Sequence, residues 1–332
     1  MTTTPGTMSA AVLHALGRTP RCERFPEPVA GEGETLVHVT AAALKPVDRW
    51  MADGSHYAHH REFPTVVGTD GVGRLDDGRR VVFLGTRRPH GGMARRTVAP
   101  DGTWFPLPDD IAVDDVTVAA VTNPGLAAWK AIIWRGRLRP GQTVLVLGAT
   151  GTSGRIAVQL AKRYGAARVV AAGRDQRVLD ELRTLGADAT LRLDRPADEL
   201  VDAFAEEAAR TPFDLVVDYV WGSPAQALFT ALTRPGLTPL QETSRVLHVQ
   251  VGQTAGEHVS LSGNALRSTA LEIVGSGSGA SPSPAQALTA YDELLRGCAD
   301  GGIRLAIEQL PLSEVEHAWK TAGSARRTVL VP

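Results

Sequence analysis

The chain has 332 residues, 43% of them apolar, with a mean hydropathy of −0.07, a composition that describes a globular protein long enough for two domains. A formal net charge of −1 excludes the basic excess of a nucleic-acid-binding protein. The only two cysteines, Cys22 and Cys298, lie far apart and fit a reducing cytoplasm rather than a disulfide scaffold.

The N-terminal stretch lacks a basic segment followed by a long apolar one, so no signal peptide is expected. No run of eighteen consecutive apolar residues occurs, so no membrane span is expected either. Residues 8–118 read as strands and turns: "ETLVHVTAAAL" (34–44), a hairpin around Asp-Asp-Gly in 71–85, and "GGMARRTVAP" (91–100). Residues 114–136 read as helical in two pieces, broken near Pro124–Gly125. Strands and helices then alternate: strand 143–147, helix 153–164, strand 168–172, helix 175–185 and a strand near 189–193. Helix 196–209, strand 214–219, helix 223–232, strand 245–251 and a strand near 271–275 continue the pattern. Near-continuous apolar strands alternating with helices predict a doubly wound parallel sheet. The stretch "GSGSGASPSP" (275–284) is the best linker, after which helix 285–301 and strand 328–332 return to the first domain. The expected division is 1–118 with 285–332 for a β-rich domain, and 119–284 for a dinucleotide-binding domain.

The most informative motif follows the strand at 143–147. The register Ala149-x-Gly151-x-x-Gly154, with Thr150, Thr152 and Ser153 between, fits a dinucleotide turn. Ala149 takes the least demanding place, Gly151 admits the pyrophosphate, and Gly154 lets the helix approach the strand. The helix N-terminus then offers free N–H groups to phosphate. Arg155 excludes a Walker A loop, which needs Lys-Ser/Thr there, and also excludes the short-chain dehydrogenase glycine pattern. None of Tyr57, Tyr164, Tyr219 and Tyr291 is followed four residues later by lysine, so the Tyr/Lys pair of short-chain enzymes is missing too. At the end of the second strand stand Gly173 and Arg174 rather than a ribose-binding acid. Gly173 makes room and Arg174, with Arg177 one turn on, suits a 2′-phosphate, which favours NADPH over NADH. Asp175 is close enough to compete with that assignment.

With a β-rich domain ahead of this turn, the chain resembles the medium-chain dehydrogenase/reductase superfamily, in its zinc-free quinone oxidoreductase-like branch. The resemblance is carried by "ALKPVDRWMADGSHY" (43–57), "FPTVVGTDGVGRL" (63–75), "NPGLAAW" (123–129), "GATGTSGRIAVQLAK" (148–162), "LGADA" (185–189) and "FDLVVDYVWG" (213–222). It implies an α/β architecture in which a GroES-like β-rich domain joins a Rossmann domain, with the cofactor between them. It also implies a homodimer. Zinc members carry Cys where this chain has Lys45, and His-Glu where it has Thr69–Asp70; an ammonium and a hydroxyl do not suit zinc. His59–His60 lack a third ligand and read as solvated.

Without a Lewis acid, what remains is hydride delivery from NADPH to a small activated acceptor, a quinone or an α,β-unsaturated carbonyl. Three catalytic candidates follow from the resemblance. Tyr57 reads as a substrate contact or proton donor, or as a packing tyrosine. Lys45 reads as an electrostatic partner of a substrate oxygen, or as a brace paired with Asp48 or Asp70. Asn123 reads as a polar contact to nicotinamide or substrate. Leu193 replaces a tyrosine that several relatives place against the 2′-phosphate ribose, and Arg192 is a distant substitute. Asp218 reads as structural or cofactor-side, while Val249 and Val251 supply backbone groups to the nicotinamide. The alternatives are a pathway-specific enoyl-thioester or ene reductase, and a weakly catalytic NADPH-binding redox sensor.

Overall fold

The computed structural model describes residues 6–233, 245–277, 279, 281–323 and 326–332. In chain order the first elements are strands β1 (Thr7–Leu13), β2 (Arg21–Pro26) and β3 (Glu34–Ala43), helix α1 (Pro46–Asp53), and strands β4 (Thr65–Val66) and β5 (Gly71–Arg74). Strands β6 (Arg80–Phe83), β7 (Arg96–Pro100) and β8 (Trp104–Pro106) and helix α2 (Asp115–Trp129) follow. Alternation then begins with β9 (Thr143–Leu147), α3 (Thr152–Arg163), β10 (Arg168–Gly173), α4 (Gln176–Thr184) and β11 (Ala189–Arg192). It continues with α5 (Ala197–Arg210), β12 (Leu215–Asp218), α6 (Gly222–Leu232), β13 (Val246–Gln250), α7 (Gly263–Ser268) and β14 (Leu271–Gly275). The chain closes with α8 (Pro284–Ala299), β15 (Ile307–Pro311), α9 (Val315–Thr321) and β16 (Arg327–Val331). Positions 278 and 280 of the expected linker lie outside the described residues.

Two compact units result. One comprises the chain up to Asn123 together with Pro284–Gly301 and Leu305–Pro332; the other comprises Pro124–Ser283 and Gly302–Arg304.

The first unit is built on a three-stranded sheet, β2-β1-β4, and a seven-stranded sheet in the order β15-β16-β3-β5-β6-β8, with β7 also paired to β3. The Asp-Asp-Gly hairpin is present: β5 and β6 pair antiparallel from Gly71↔Phe83 to Arg74↔Arg80, with Gly78 at φ +87° in the turn. Its core gathers Leu13, Val37, Phe83, Met93 and Leu330, all fully buried.

The second unit is the expected doubly wound sheet, six parallel strands in the order β11-β10-β9-β12-β13-β14. Strands β9 and β10 are covered on both faces: Val144 to Leu147 and Val169 to Ala172 are at 0% exposure, which is why their sequences are apolar without alternation. The order reverses between β9 and β12, and in such sheets ligands lie beyond the carboxyl ends at this point.

One expectation is corrected. Residues 115–129 form a single α-helix that passes through Pro124, and the following Lys130–Arg135 forms a π-turn. Proline removes one backbone donor without forcing a break where neighbouring groups can relax around it. The π-turn ends at Gly136, where a Cβ would lie 2.4 Å from the Ala131 carbonyl oxygen. Asp115–Arg135 has the length and hydropathy of a membrane span, but 61% of its apolar stretch is buried inside the fold, as in a core helix.

Candidate functional site

The turn after β9 is organised by Gly148, which lies one residue before the motif Ala149-x-Gly151-x-x-Gly154. Gly148 has φ +83°, and its N–H and that of Ala149 both donate to the Ala172 carbonyl, at 2.9 and 2.8 Å. Left-handed backbone suits glycine, so the tight turn after β9 falls at Gly148, with Ala149 buried beside it. The equal spacing Gly148-x-x-Gly151-x-x-Gly154 was the available signal. Gly154 behaves as expected: a Cβ there would lie 2.3 Å from the Gly148 carbonyl oxygen and 2.6 Å from Ala149 Cα. Gly151 differs, because a Cβ there would meet only Gly148 O at 3.5 Å. The protein itself therefore has no steric need for glycine at 151.

Helix α3 starts at Thr152 with Gly151 as N-cap and no side-chain cap. Its first N–H groups, those of Thr152, Ser153 and Gly154, precede the first intrahelical bond, from Arg155 N to Gly151 O at 2.9 Å. Thr152 and Ser153 remain half-exposed. Arg155, buried at 6%, braces the turn through Glu181 at 3.3 Å and the Thr150 carbonyl at 3.4 Å.

At the end of β10 the side chains divide their roles. Gly173 makes room for Thr150, whose Cγ2 would lie 2.4 Å from a Cβ at 173. Asp175 turns onto its own helix and accepts the Val178 N–H at 3.2 Å as the N-cap of α4. Arg177 pairs with Glu181 at 3.4 Å, and Arg192 pairs with Asp194. Arg174 is exposed and forms no ion pair among the described residues. Leu193 packs on the core that holds Phe204 and Phe213.

Of the nicotinamide-side candidates, Val249 is fully buried. The Val251 N–H donates to the Asp218 carbonyl at 2.7 Å. Val251 can therefore offer a ligand its carbonyl but not its N–H. Asp218 itself is fully buried.

In the first unit, Lys45 lies at the centre of a buried ionic cluster. Its Nζ donates to Asp70 Oδ1 at 2.8 Å and sits 3.1 Å from Asp48 Oδ2, while Lys45 is 2% exposed. Asp48 Oδ2 also accepts the Lys45 N–H at 2.9 Å and so starts α1. Burial opposes the Lys45 ammonium, but Asp48 and Asp70 outweigh it and hold its pKa above the usual lysine value. Arg327 and Tyr291, unforeseen from the sequence, flank the same carboxylates: Arg327 acts on Asp48 and Asp70, and Asp70 on the buried Tyr291 phenol. Both come from the C-terminal third, so no local pattern signals them. Among the described residues no three His, Cys, Asp or Glu side chains converge as a metal site.

Tyr57 is 73% exposed, with its ring against His56 at 4.1 Å. Arg88 clamps this loop by donating to the carbonyls of Ala58 and His59 at 2.9 and 3.1 Å. Asn123 is exposed on α2. His59 and His60 do not act alike: His60 is buried at 6%, and burial, with Arg88 and His59 nearby, pushes its pKa from 6.5 down to about 4. The unfolded chain takes up this proton near 6.5 and the folded one only near 4, so stability falls as pH drops through that window. With solvent screening at the loop the loss is on the order of 1–2 kcal/mol. Urea unfolding at pH 7.5 and 4.5 should show His60→Gln losing less stability on acidification than the parent; equal losses would contradict the assignment.

A family model described as zinc-binding dehydrogenase matches residues 154–290. A trans-enoyl reductase of Aspergillus terreus is 28% identical over 235 residues, 64% of this chain and 62% of its own length. A probable NADPH-dependent quinone reductase of Emericella nidulans is 32% identical over 233 residues, 66% of this chain and 62% of its own length. These alignments thus span under two thirds of either relative. Among solved structures, a mycobacterial quinone oxidoreductase superposes with a TM-score of 0.82 at 21% identity, over 98% of this chain and 100% of that one. A mycobacterial protein solved as its NADPH complex gives 0.76 at 22%, over 98% and 100%. Residues 154–290 thus match a zinc-binding dehydrogenase domain, and the chain is similar to quinone and trans-enoyl reductases of the medium-chain dehydrogenase/reductase superfamily. At 21–22% identity the superpositions show the fold alone, a two-domain α/β architecture. Lys45 and Asp70, which the resemblance sets against zinc ligands, instead form an ion-pair network with Asp48.

Proposed function

We propose that this protein is a zinc-independent, NADPH-dependent oxidoreductase that reduces quinones or α,β-unsaturated carbonyl compounds. The observation that carries the reading is the uncapped start of α3, beside a glycine whose missing side chain no protein atom requires, at the point where the sheet order reverses. A pyrophosphate is the group that both features suit. When bound, the reduced nicotinamide supplies a hydride.

The chain's own residues do the rest. The N–H groups of Thr152, Ser153 and Gly154 bind the pyrophosphate. Arg174 receives the 2′-phosphate, supported by its exposure and by the diversion of Asp175 to helix capping; Arg177 is secondary because Glu181 already engages it. Tyr57 is the proposed substrate-contacting side chain, more exposed than any other large apolar residue described. Asn123, also exposed, is the proposed polar contact. Lys45 braces the site and does not reach substrate, since both carboxylates hold it and it is buried. That ammonium in place of a thiolate supports the zinc-independent reading. The acceptor class is supported by the quinone and trans-enoyl reductases among the relatives. The unpaired thiols Cys22 and Cys298 support a cytoplasmic setting, and we propose a homodimer.

Incubation with NADPH and a panel of quinones, enals and enoyl thioesters, followed at about 340 nm, tests the function. Turnover with a quinone or enone, unchanged after chelation, is the expected result; NADPH binding without turnover of any acceptor would leave the redox-sensor alternative. For cofactor choice, Arg174→Ala should weaken NADPH by ~10–100-fold through loss of a charge-assisted phosphate contact, with NADH nearly unchanged. Equal losses for both cofactors would contradict this.

A further inference from the structure

We propose that Asp218 is the positioning residue for the nicotinamide half of the dinucleotide, an inference that rests on the dinucleotide reading above. Asp218 ends β12, paired with Leu147 of β9 on one side and Gln250 of β13 on the other. No atom of its carboxylate is exposed, and none is left for a ligand. Oδ1 accepts the N–H groups of Val220 and Trp221, each at 2.8 Å. Oδ2 lies 3.0 Å from Nε2 of His248, itself fully buried and flanked by Trp221 and Phe229 rings at 5.7 and 5.0 Å. The main-chain carbonyl of Asp218 accepts Val251 and Gly252 N–H groups at 2.7 and 3.1 Å. One residue therefore organises the loop after β12 and the loop after β13.

The two loops are also tied to each other. Ala255 N–H donates to Val220 O at 2.8 Å, the Thr254 hydroxyl to Tyr219 O at 3.3 Å, and Trp221 forms a bridge with Gly256. The fit leaves little slack: a Cβ at Gly252 would lie 2.6 Å from Tyr219 O, and one at Gly222 would lie 2.4 Å from Ala255 O. Trp221 is held at φ +55°, a conformation that residues with a side chain rarely adopt. Such a conformation persists only where surrounding contacts impose it, and Oδ1 of Asp218 is the contact at that N–H. The same loop touches the glycine turn, since a Cβ at Gly148 would meet Val220 Cγ1 at 2.9 Å.

This places a rigid platform on one flank of the turn. Arg174, at the end of β10, marks the flank for the adenine ribose, so the nicotinamide half extends the opposite way, over the ends of β12 and β13. Asp218 touches no ligand; it fixes the carbonyls and side chains that do.

The test compares two ligands on the full-length protein by calorimetry: NADPH, and 2′,5′-ADP, which carries only the adenine half. For Asp218→Ala the NADPH Kd should rise about tenfold or more, the loss of a hydrogen-bonded anchor, while the 2′,5′-ADP Kd stays within about twofold. Asp218→Asn keeps an acceptor for Val220 and Trp221, and His248 can change tautomer to meet the amide, so it should recover most of the NADPH affinity. Should Asp218→Ala not accumulate folded, Trp221→Gly makes the same comparison, because glycine takes φ +55° freely and releases the loop. Equal weakening of both ligands, or unchanged NADPH affinity, overturns the positioning role alone. Failure of the parent protein to bind either ligand overturns the dinucleotide reading, and this inference with it.

Discussion

Gly154→Ala should destabilise the doubly wound unit by ~2–4 kcal/mol and abolish measurable cofactor binding. Alanine would by itself favour the helix by ~1 kcal/mol. Packing decides the sign. The added Cβ would lie 2.3 Å from the Gly148 carbonyl oxygen, 2.6 Å from Ala149 Cα and 2.9 Å from the Gly148 carbonyl carbon. All three are backbone atoms of the turn, and Gly148 is pinned there by its bond to Ala172 O. Nothing flexible can move aside, so α3 must lift from β9 and lose contact along a fully buried face, which includes Ile156, Ala157 and Leu160. Gly151→Ala is the internal control. Its Cβ meets only Gly148 O at 3.5 Å, so thermal stability should hold while NADPH binding weakens by ~10-fold or more. Equal melting temperatures for the two variants would refute the division of labour between these glycines.

Lys45→Met should cost ~3–5 kcal/mol, read by urea unfolding, because it leaves Asp48 and Asp70 buried without their cation. Screening offers little relief, since the three side chains are 2%, 0% and 4% exposed. Arg327 remains near both carboxylates, but burial works against its own charge and lowers its pKa. Removing one carboxylate as well, in Lys45→Met with Asp48→Asn, should recover most of the loss, since the remaining Asp70 and Arg327 then balance in charge. Kinetics separates the two roles considered for Lys45. A brace loses stability first and activity only in proportion to the folded fraction. A lysine touching substrate would instead lower kcat/KM with the melting temperature unchanged, and that result would sink the structural assignment.

How far each feature could be read ahead depended on the range of the interaction behind it. The hairpin at 71–85 and the run of parallel strands from β9 to β14 were legible because both arise from local periodicity and turn chemistry. Gly154 was legible for the same reason, since helix and strand meet across a few residues. The role of Gly148 was not legible from strand length, which alone does not say which residue turns left-handed; the backbone geometry assigns that to Gly148. Pro124 misled because proline's cost is local while the packing that tolerates it is not. Helices α7 and α9 and strand β15 were too short to show a period.

The sequence by itself determined the alternation of elements, the place of the glycine turn after β9 and the absence of metal-suited side chains at 45 and 69. Those follow from residue identity at fixed spacing, which neighbours along the chain express. Only the tertiary structure decided how the polar side chains are used. Asp175 became a helix cap, Lys45 acquired two buried carboxylates and an arginine 282 positions away (327 − 45), and Asp218 became the anchor of two loops. A polar group taken out of water must find partners, and those partners are supplied by whichever segments the fold brings alongside.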